Sequence, residues 1–310
     1  MKKITIGGVP EHFNLPWYLT LKNKEYTAAG INLRWHDYHG GTGQMCGALR
    51  RGEIDMAVIL TEGIIRDIAN GNPSKIVQVF VKSPLIWGIY VAKNRGHKTV
   101  SGLRGTTAAI SRYGSGSHLM AYVNAENQGW DTKTDLQFEV VKTLDGALQG
   151  LPEQRADYFL WEKYTTKPYV DNGPLNIVGE CPTPWPCFVI AVRDELLKNE
   201  SGAVKKILSI VNGTTAKFKA MPQIEKTISQ RYGQKLGDVK KWLSLTEWGQ
   251  QNLGPFEVNK VQKKLLQLQL IEKEIPDFDR KVYSSLFKAF VNNRNYQAGK
   301  GTKYGESKEV

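Results

Sequence analysis

Cysteine is scarce in this chain: three residues in 310, at Cys46, Cys181 and Cys187. An odd number without dense spacing argues against a disulfide framework. Cys181 and Cys187 lie six apart with three prolines between them, which is no familiar metal spacing. Histidine is also sparse, and the one close pair, His36 and His39 around Asp37, has no third ligand beside it in sequence. No apolar run approaches 18 residues, so no transmembrane helix is expected. The first ten residues carry two lysines but no sustained apolar core of a signal peptide, and read directly as a strand. On that reading the protein is cytoplasmic; removal of a signal peptide would make it periplasmic. Acidic residues are outnumbered, 30 against 42 Lys and Arg, for a net charge of +12. The excess lysines are scattered from Lys198 to Lys308, with no compact basic block interleaved with aromatics, so a nucleic-acid partner is not expected.

The balance of 41% hydrophobic and 23% charged residues is that of an ordinary globular protein, of one large domain or two of usual size. The most suggestive stretch is Ser111-Arg112-Tyr113-Gly114-Ser115-Gly116-Ser117-His118. A short apolar strand, Thr106 to Ile110, precedes it, and an apolar-periodic helix follows toward Gly129. Ser115 or Ser117 can cap that helix, and the glycines allow a tight turn. Unpaired N–H groups and the helix dipole then favour a carboxylate, sulfonate or phosphate. A second Gly-rich turn, Gly40 to Gln44, stands before a helix expected over Met45 to Arg51. Neither turn fits a Walker loop or a dinucleotide fingerprint. Ser115 and Ser117 near His118 do not make a nucleophile elbow.

Strands at Ile4–Val9, Ile31–Trp35, Asp55–Leu60 and Ile76–Val81 alternate with helices, one of them from Leu15 to Glu25, which points to a parallel α/β sheet. Such sheets bind ligands beyond the carboxyl ends of their strands. His12, Thr42, Glu62 and Arg112 each follow an expected strand. The two strongest strand runs, Leu85–Ala92 and Cys187–Val192, bracket a segment with its own pattern: strands at Phe138–Val141 and Asp157–Trp161 and a helix from Asp145. Two lobes with a double crossing follow, residues 1–84 plus 187–295 and residues 85–186. After Asp194 the pattern is helical, at Asp194–Ala220, Gln223–Tyr232, Val258–Glu272 and Arg280–Asn292, and residues 296–310 are expected to be a disordered tail.

The pieces Val9–Phe13, Gly40–Gln44, Gly52–Ala57, Leu60–Glu62, Lys82–Leu85 and Ser111–Ser117, in this order, resemble the type 2 periplasmic-binding-protein superfamily. The likeness is to solute receptors for sulfonates, taurine and nitrate and to thiamine-pyrimidine proteins, with the cytosolic signal-less subgroup nearest. It covers Lys3 to about Val192 well and the helical C-terminal third loosely. The resemblance implies a two-lobed α/β fold with a hinge, closing on a small ligand. It implies an ABC-type transporter as a partner in receptors that carry a signal peptide, which is not evident here. The pyrimidine synthase of the superfamily has a cysteine-rich iron motif that this chain lacks, so binding without catalysis, metal or cofactor is expected; an enzyme of pyrimidine biosynthesis is the alternative.

By the same resemblance the ligand lies between the turn with Gly41, Thr42 and Gly43 and the turn with Arg112, Tyr113, Ser115 and Ser117. Arg112 either offers a fork of donors to an anion or makes a structural ion pair. Thr61 and Glu62 end a strand at the cleft edge, where Glu62 takes a ligand N–H or pairs with Arg66. Trp161 and Glu162 mark another corner, and Ser83 and Trp185 flank the two crossings. The tryptophans suit an apolar ligand body or ordinary core packing. His12 is a lesser candidate.

Overall fold

Ile4 and Ile6 are buried in the first strand, and the neighbouring strand at Met56–Leu60 is apolar throughout, as a strand covered on both faces requires. The structure is a computed structural model that describes residues 3–275. The helix expected at Arg280–Asn292 and the tail after Asn295 lie outside the described residues.

The chain runs β1 (Lys3–Gly8), α1 (Leu15–Lys22), α2 (Glu25–Ala28), β2 (Asn32–Asp37), α3 (Gly41–Arg51), β3 (Met56–Leu60), α4 (Thr61–Ala69) and β4 (Ser74–Val81). It continues through β5 (Ile86–Ala92), β6 (Thr107–Ile110), α5 (Gly116–Asn127), β7 (Gln137–Val140), α6 (Leu144–Gly150), β8 (Tyr158–Glu162), α7 (Lys163–Asp171) and β9 (Leu175–Pro182). It ends with β10 (Phe188–Arg193), α8 (Asp194–Lys217), α9 (Ile224–Tyr232), α10 (Leu236–Leu245) and α11 (Pro255–Gln267).

The strands form two sheets of five, ordered β2-β1-β3-β10-β4 and β7-β6-β8-β5-β9. The chain passes from the first to the second between Val81 and Ile86 and returns between Pro182 and Phe188. These two connecting segments run side by side. Thr183 N–H donates to Leu85 O (2.9 Å), Leu85 N–H to Thr183 Oγ1 (2.9 Å) and Cys187 N–H to Ser83 O (3.3 Å).

The sheets are not purely parallel. β10 is antiparallel to β3 and β4, and β5 is antiparallel to β8 and β9. Each is the strand that follows a crossing, so it enters its sheet without the helical crossover that makes a neighbour parallel. The helix expected over Leu15–Glu25 is broken at Lys24, whose left-handed φ of 56° separates α1 from α2. Strand β9 and helices α7 and α10 were not anticipated. Pro168 lies inside α7 and masks its helical pattern. Among the described residues no helix is long and apolar enough to cross a membrane.

Candidate functional site

Gly41, at φ 64°, turns the chain into α3, and Gly40 N–H is held by Gln44 Oε1 at 3.0 Å. The first-turn N–H groups of Thr42 and Gly43 have no partner within the helix. Across the cleft, Ser115 caps α5 by accepting His118 N–H at 3.3 Å. Ser117 Oγ accepts Ser111 N–H at 3.0 Å, which folds the loop onto its own helix. Gly114, at φ 74°, donates its N–H to His118 Nδ1 and accepts Arg66 Nη1 at 2.8 Å. The last bond joins α4 beside the first sheet to the loop of the second. Arg112 makes the closest approach: a Cβ built on Gly43 would lie 2.0 Å from its Nη2. Only glycine leaves the guanidinium room against the start of α3.

Two cavities meet at Arg112. One, of about 250 Å³, is lined by Arg50, Arg66, Arg112, Glu62 and Asp67 and by the Gly114–Gly116 turn. Asp67 neutralises Arg50 through Nε (3.0 Å) and Nη2 (2.9 Å). Arg66 keeps a buried Nε without a partner. Arg112 is half-buried and has no ion-pair or hydrogen-bond partner among the described residues. Burial and, after it, the charge of Arg66 pull its pKa below the usual guanidinium value. Leu265 and Leu270, at and beyond the end of α11, complete the wall. That helix is tied to α5 by Lys264 and by Gln267, which both bond Glu126.

The other cavity, of about 80 Å³, is lined by Trp87, Trp161, Leu85 and Phe188, with Glu11 and Glu162 facing it. Trp87 and Trp161 meet edge to face at 6.4 Å. Trp87 Nε1 is buried without a partner, a donor held ready beside the apolar surface. Glu162 caps α7 by accepting Thr165 N–H at 2.6 Å, and burial pushes its carboxyl up to about 7. Glu11 is pushed up to about 8, by burial first and by the charge of Glu162 second. Glu62 is pushed up to about 7 by burial, although Trp185 Nε1 donates to its Oε2 at 2.8 Å; its Oε1 is unpartnered. The cleft therefore offers uncompensated positive charge at one end and carboxyls with an indole donor at the other.

Two sheets joined by a double crossing around such a cleft recur in solved structures. The Candida albicans CA3427 gene product, described as defining a new family with the generic periplasmic binding protein fold, superposes with TM-score 0.81 at 24% identity, over 94% of this chain and 95% of that one. The alkanesulfonate-binding protein SsuA of Xanthomonas axonopodis pv. citri, bound to MOPS, gives 0.77 at 15% identity, over 91% and 98%. The aliphatic sulphonate binding protein SsuA of Escherichia coli gives 0.72 at 15%, over 100% and 96%. The chain has the type 2 periplasmic-binding-protein fold. The model of the Ca3427-like periplasmic binding proteins matches residues 87–181, within the second sheet and its helices. No curated protein matches the sequence.

Within this binding-protein fold, Gly41, Thr42, Gly43, Glu62, Arg112, Ser115, Ser117, Trp161 and Glu162 line the two cleft cavities. Five other candidates do not. His12 is packed among Phe13, Tyr232 and Trp242, and burial pulls its pKa down to about 3. Thr61 spends its hydroxyl on Pro186 O at 2.6 Å, and Ser83 Oγ accepts Glu247 N–H at 3.0 Å. Trp185 is buried behind Glu62, and Tyr113 is 62% exposed against His118 and Phe138. Glu62 lies in the first turn of α4 rather than at a strand end, and its pairing with Arg66 does not form, because Arg66 turns to Gly114. Glu11, Trp87 and Arg66 were not anticipated as cleft residues. Glu11 stood in the Val9–Phe13 piece next to the more conspicuous His12. In a strand that is apolar on both faces, nothing in the sequence marks Trp87 as the residue facing the cleft.

Proposed function

We propose that this protein binds a small organic anion carrying an N–H donor, of the aminated sulfonate kind, between its two sheets. The observation that carries the reading is Arg112: a half-buried guanidinium set against the N-terminus of α3 with no anionic partner among the described residues. Burying a charge without a partner is costly, and an anion in the cleft offsets that cost. Helix starts α3 and α5 add N–H donors at the same place. At the other end Glu11 and Glu162 ask for ligand donors, and Trp87 Nε1 asks for an acceptor. The sulfonate-binding proteins of the same fold support an anionic end. A flat aminated ring such as an aminopyrimidine would answer the tryptophans and carboxyls equally and would need an anionic substituent to answer Arg112.

Calorimetric titration with taurine, ethanesulfonate and nitrate tests the reading. Taurine should bind best, because it alone addresses both ends. Arg112→Ala should weaken it by about 1.5–3 kcal/mol, the scale of a hydrogen bond to a charged group. Absence of binding by any sulfonate, or equal binding by the variant, would refute it, and native mass spectrometry of gently purified protein would then show what the cleft holds.

A further inference from the structure

A third cavity, of about 370 Å³, opens next to the cleft between the segment after β1, helix α7 and the end of α9. Glu11, His12, Thr165, Tyr169, Tyr232 and Gln234 line it. It shares Glu11 with the tryptophan-lined cavity and no residue with the arginine-lined one.

Its walls hold a cluster of unsatisfied polar atoms. Gln234 is 7% exposed, and its Nε2 donates to Tyr164 O at 3.2 Å. That bond fixes the amide and leaves Oε1 buried with no partner. His12 is 1% exposed, and its Nε2 is also without a partner. Thr165 Oγ1 and Tyr232 OH complete the set among the described residues. Each such group costs about 1–3 kcal/mol, and folded proteins carry few of them. Four such residues converge on this one cavity, and a molecule that settles into its walls is a source of partners for them.

The chemistry of the walls narrows that molecule. No lysine or arginine lines the cavity, so an anion has nothing to meet. Gln234 Oε1 is a fixed acceptor, and the two hydroxyls take either role. Glu11 is the one acidic group, and Tyr169 and Tyr232 bring aromatic rings to the walls. We propose that this cavity is a second binding site, for a small protonated amine held by Gln234, Thr165 and Tyr232, with Glu11 ionising beside the bound ammonium to become its counter-charge. The proposal does not depend on the sulfonate reading of the cleft.

The test is titration of the full chain with ethanolamine hydrochloride, glycerol and sodium acetate, followed by ligand-detected NMR and calorimetry. Ethanolamine should bind, and glycerol and acetate should bind at least about tenfold more weakly. Tyr232→Phe and Thr165→Val should each weaken ethanolamine several-fold, and together by about tenfold or more, while the ligand-free melting temperature stays level or rises, because each removes an unsatisfied hydroxyl. Glu62→Gln, which alters the central cleft and neither lines this cavity nor bonds a residue that does, separates the two places. Ethanolamine affinity lost in Glu62→Gln but kept in Tyr232→Phe would put the amine in the cleft and overturn the proposal. So would equal binding of glycerol, no binding of ethanolamine at millimolar concentration, or a drop in the ligand-free melting temperature of both hydroxyl variants.

Discussion

The indole N–H of Trp185 donates to Glu62 Oε2 at 2.8 Å, and both residues are almost wholly buried. Glu62 belongs to the first turn of α4, and Trp185 to the segment that returns the chain to the first sheet. Beside this bond, Thr61 Oγ1 donates to Pro186 O at 2.6 Å and Thr61 N–H to Cys187 O at 3.1 Å. Three successive bonds thus fasten the return crossing to the start of one helix. The other oxygen of Glu62 is left unpartnered at the arginine-lined cavity. One carboxyl therefore serves the crossing with one oxygen and faces the cleft with the other.

Replacing Trp185 with Phe removes the one side-chain donor to Glu62 among the described residues while keeping an aromatic ring in place. The ligand-free protein should lose about 1–3 kcal/mol of stability, the cost of leaving a buried polar group without its partner. Glu62→Gln should lose less, because the amide oxygen still accepts the indole N–H. Urea unfolding of both variants checks the order; an unchanged midpoint for Trp185→Phe would show that the bond contributes nothing to the fold.

Stability should also depend on pH with a definite sign. Glu11, Glu62 and Glu162 have folded pKa values of about 8, 7 and 7, all raised above the ordinary 4.5. A raised acid is held protonated by the fold, so its contribution is intact below the unfolded pKa and is lost as pH climbs through the folded value. His12 and His118, pulled down to about 3 and 4 by burial, act oppositely, but only below their unfolded pKa of 6.5. Above pH about 6.5 the carboxyls act alone. Ligand-free protein should therefore lose on the order of 1–3 kcal/mol between pH about 6.5 and 8, and Glu11→Gln should flatten the decline. Chemical unfolding at those two values decides; stability that rises over this window would contradict the buried carboxyls.

Much of this architecture could be read from sequence because burial leaves a pattern there. Met56 to Ile59 are all buried, and a run of that kind announces a covered strand. The Gly/Ser turn before α5 was visible because only glycine and capping residues do what Gly114 and Ser115 do. Directions were harder. The antiparallel placing of β5 and β10 depends on where the chain crosses between sheets, which no local pattern encodes. Side-chain partners were hardest: Trp185 lies 123 positions from Glu62, and Arg66 chose a carbonyl 48 positions away over its helical neighbour. His12 drew attention as the residue of conspicuous chemistry, yet Glu11 beside it faces the cleft.

The sharpest probe of the cleft is a single methyl at Gly43. Its backbone is not in the left-handed region, so alanine is compatible with the local geometry. Helix propensity favours alanine there by up to about 1 kcal/mol. The added Cβ, however, would overlap Arg112, whose Nη2, Cζ and Nε lie 2.0, 2.2 and 2.7 Å away. A guanidinium at the end of a flexible side chain swings aside at little cost to the fold, but it leaves the start of α3. Gly43→Ala should therefore keep or raise the melting temperature while weakening an anionic ligand by about 1–3 kcal/mol, approaching the effect of Arg112→Ala. Because both substitutions act through one group, the double variant should bind about as weakly as the worse single one. Calorimetry on the four proteins of this cycle measures the coupling. Fully additive losses would mean that Gly43 and Arg112 serve the ligand separately, and that the fit of the guanidinium against the helix start is not what positions it.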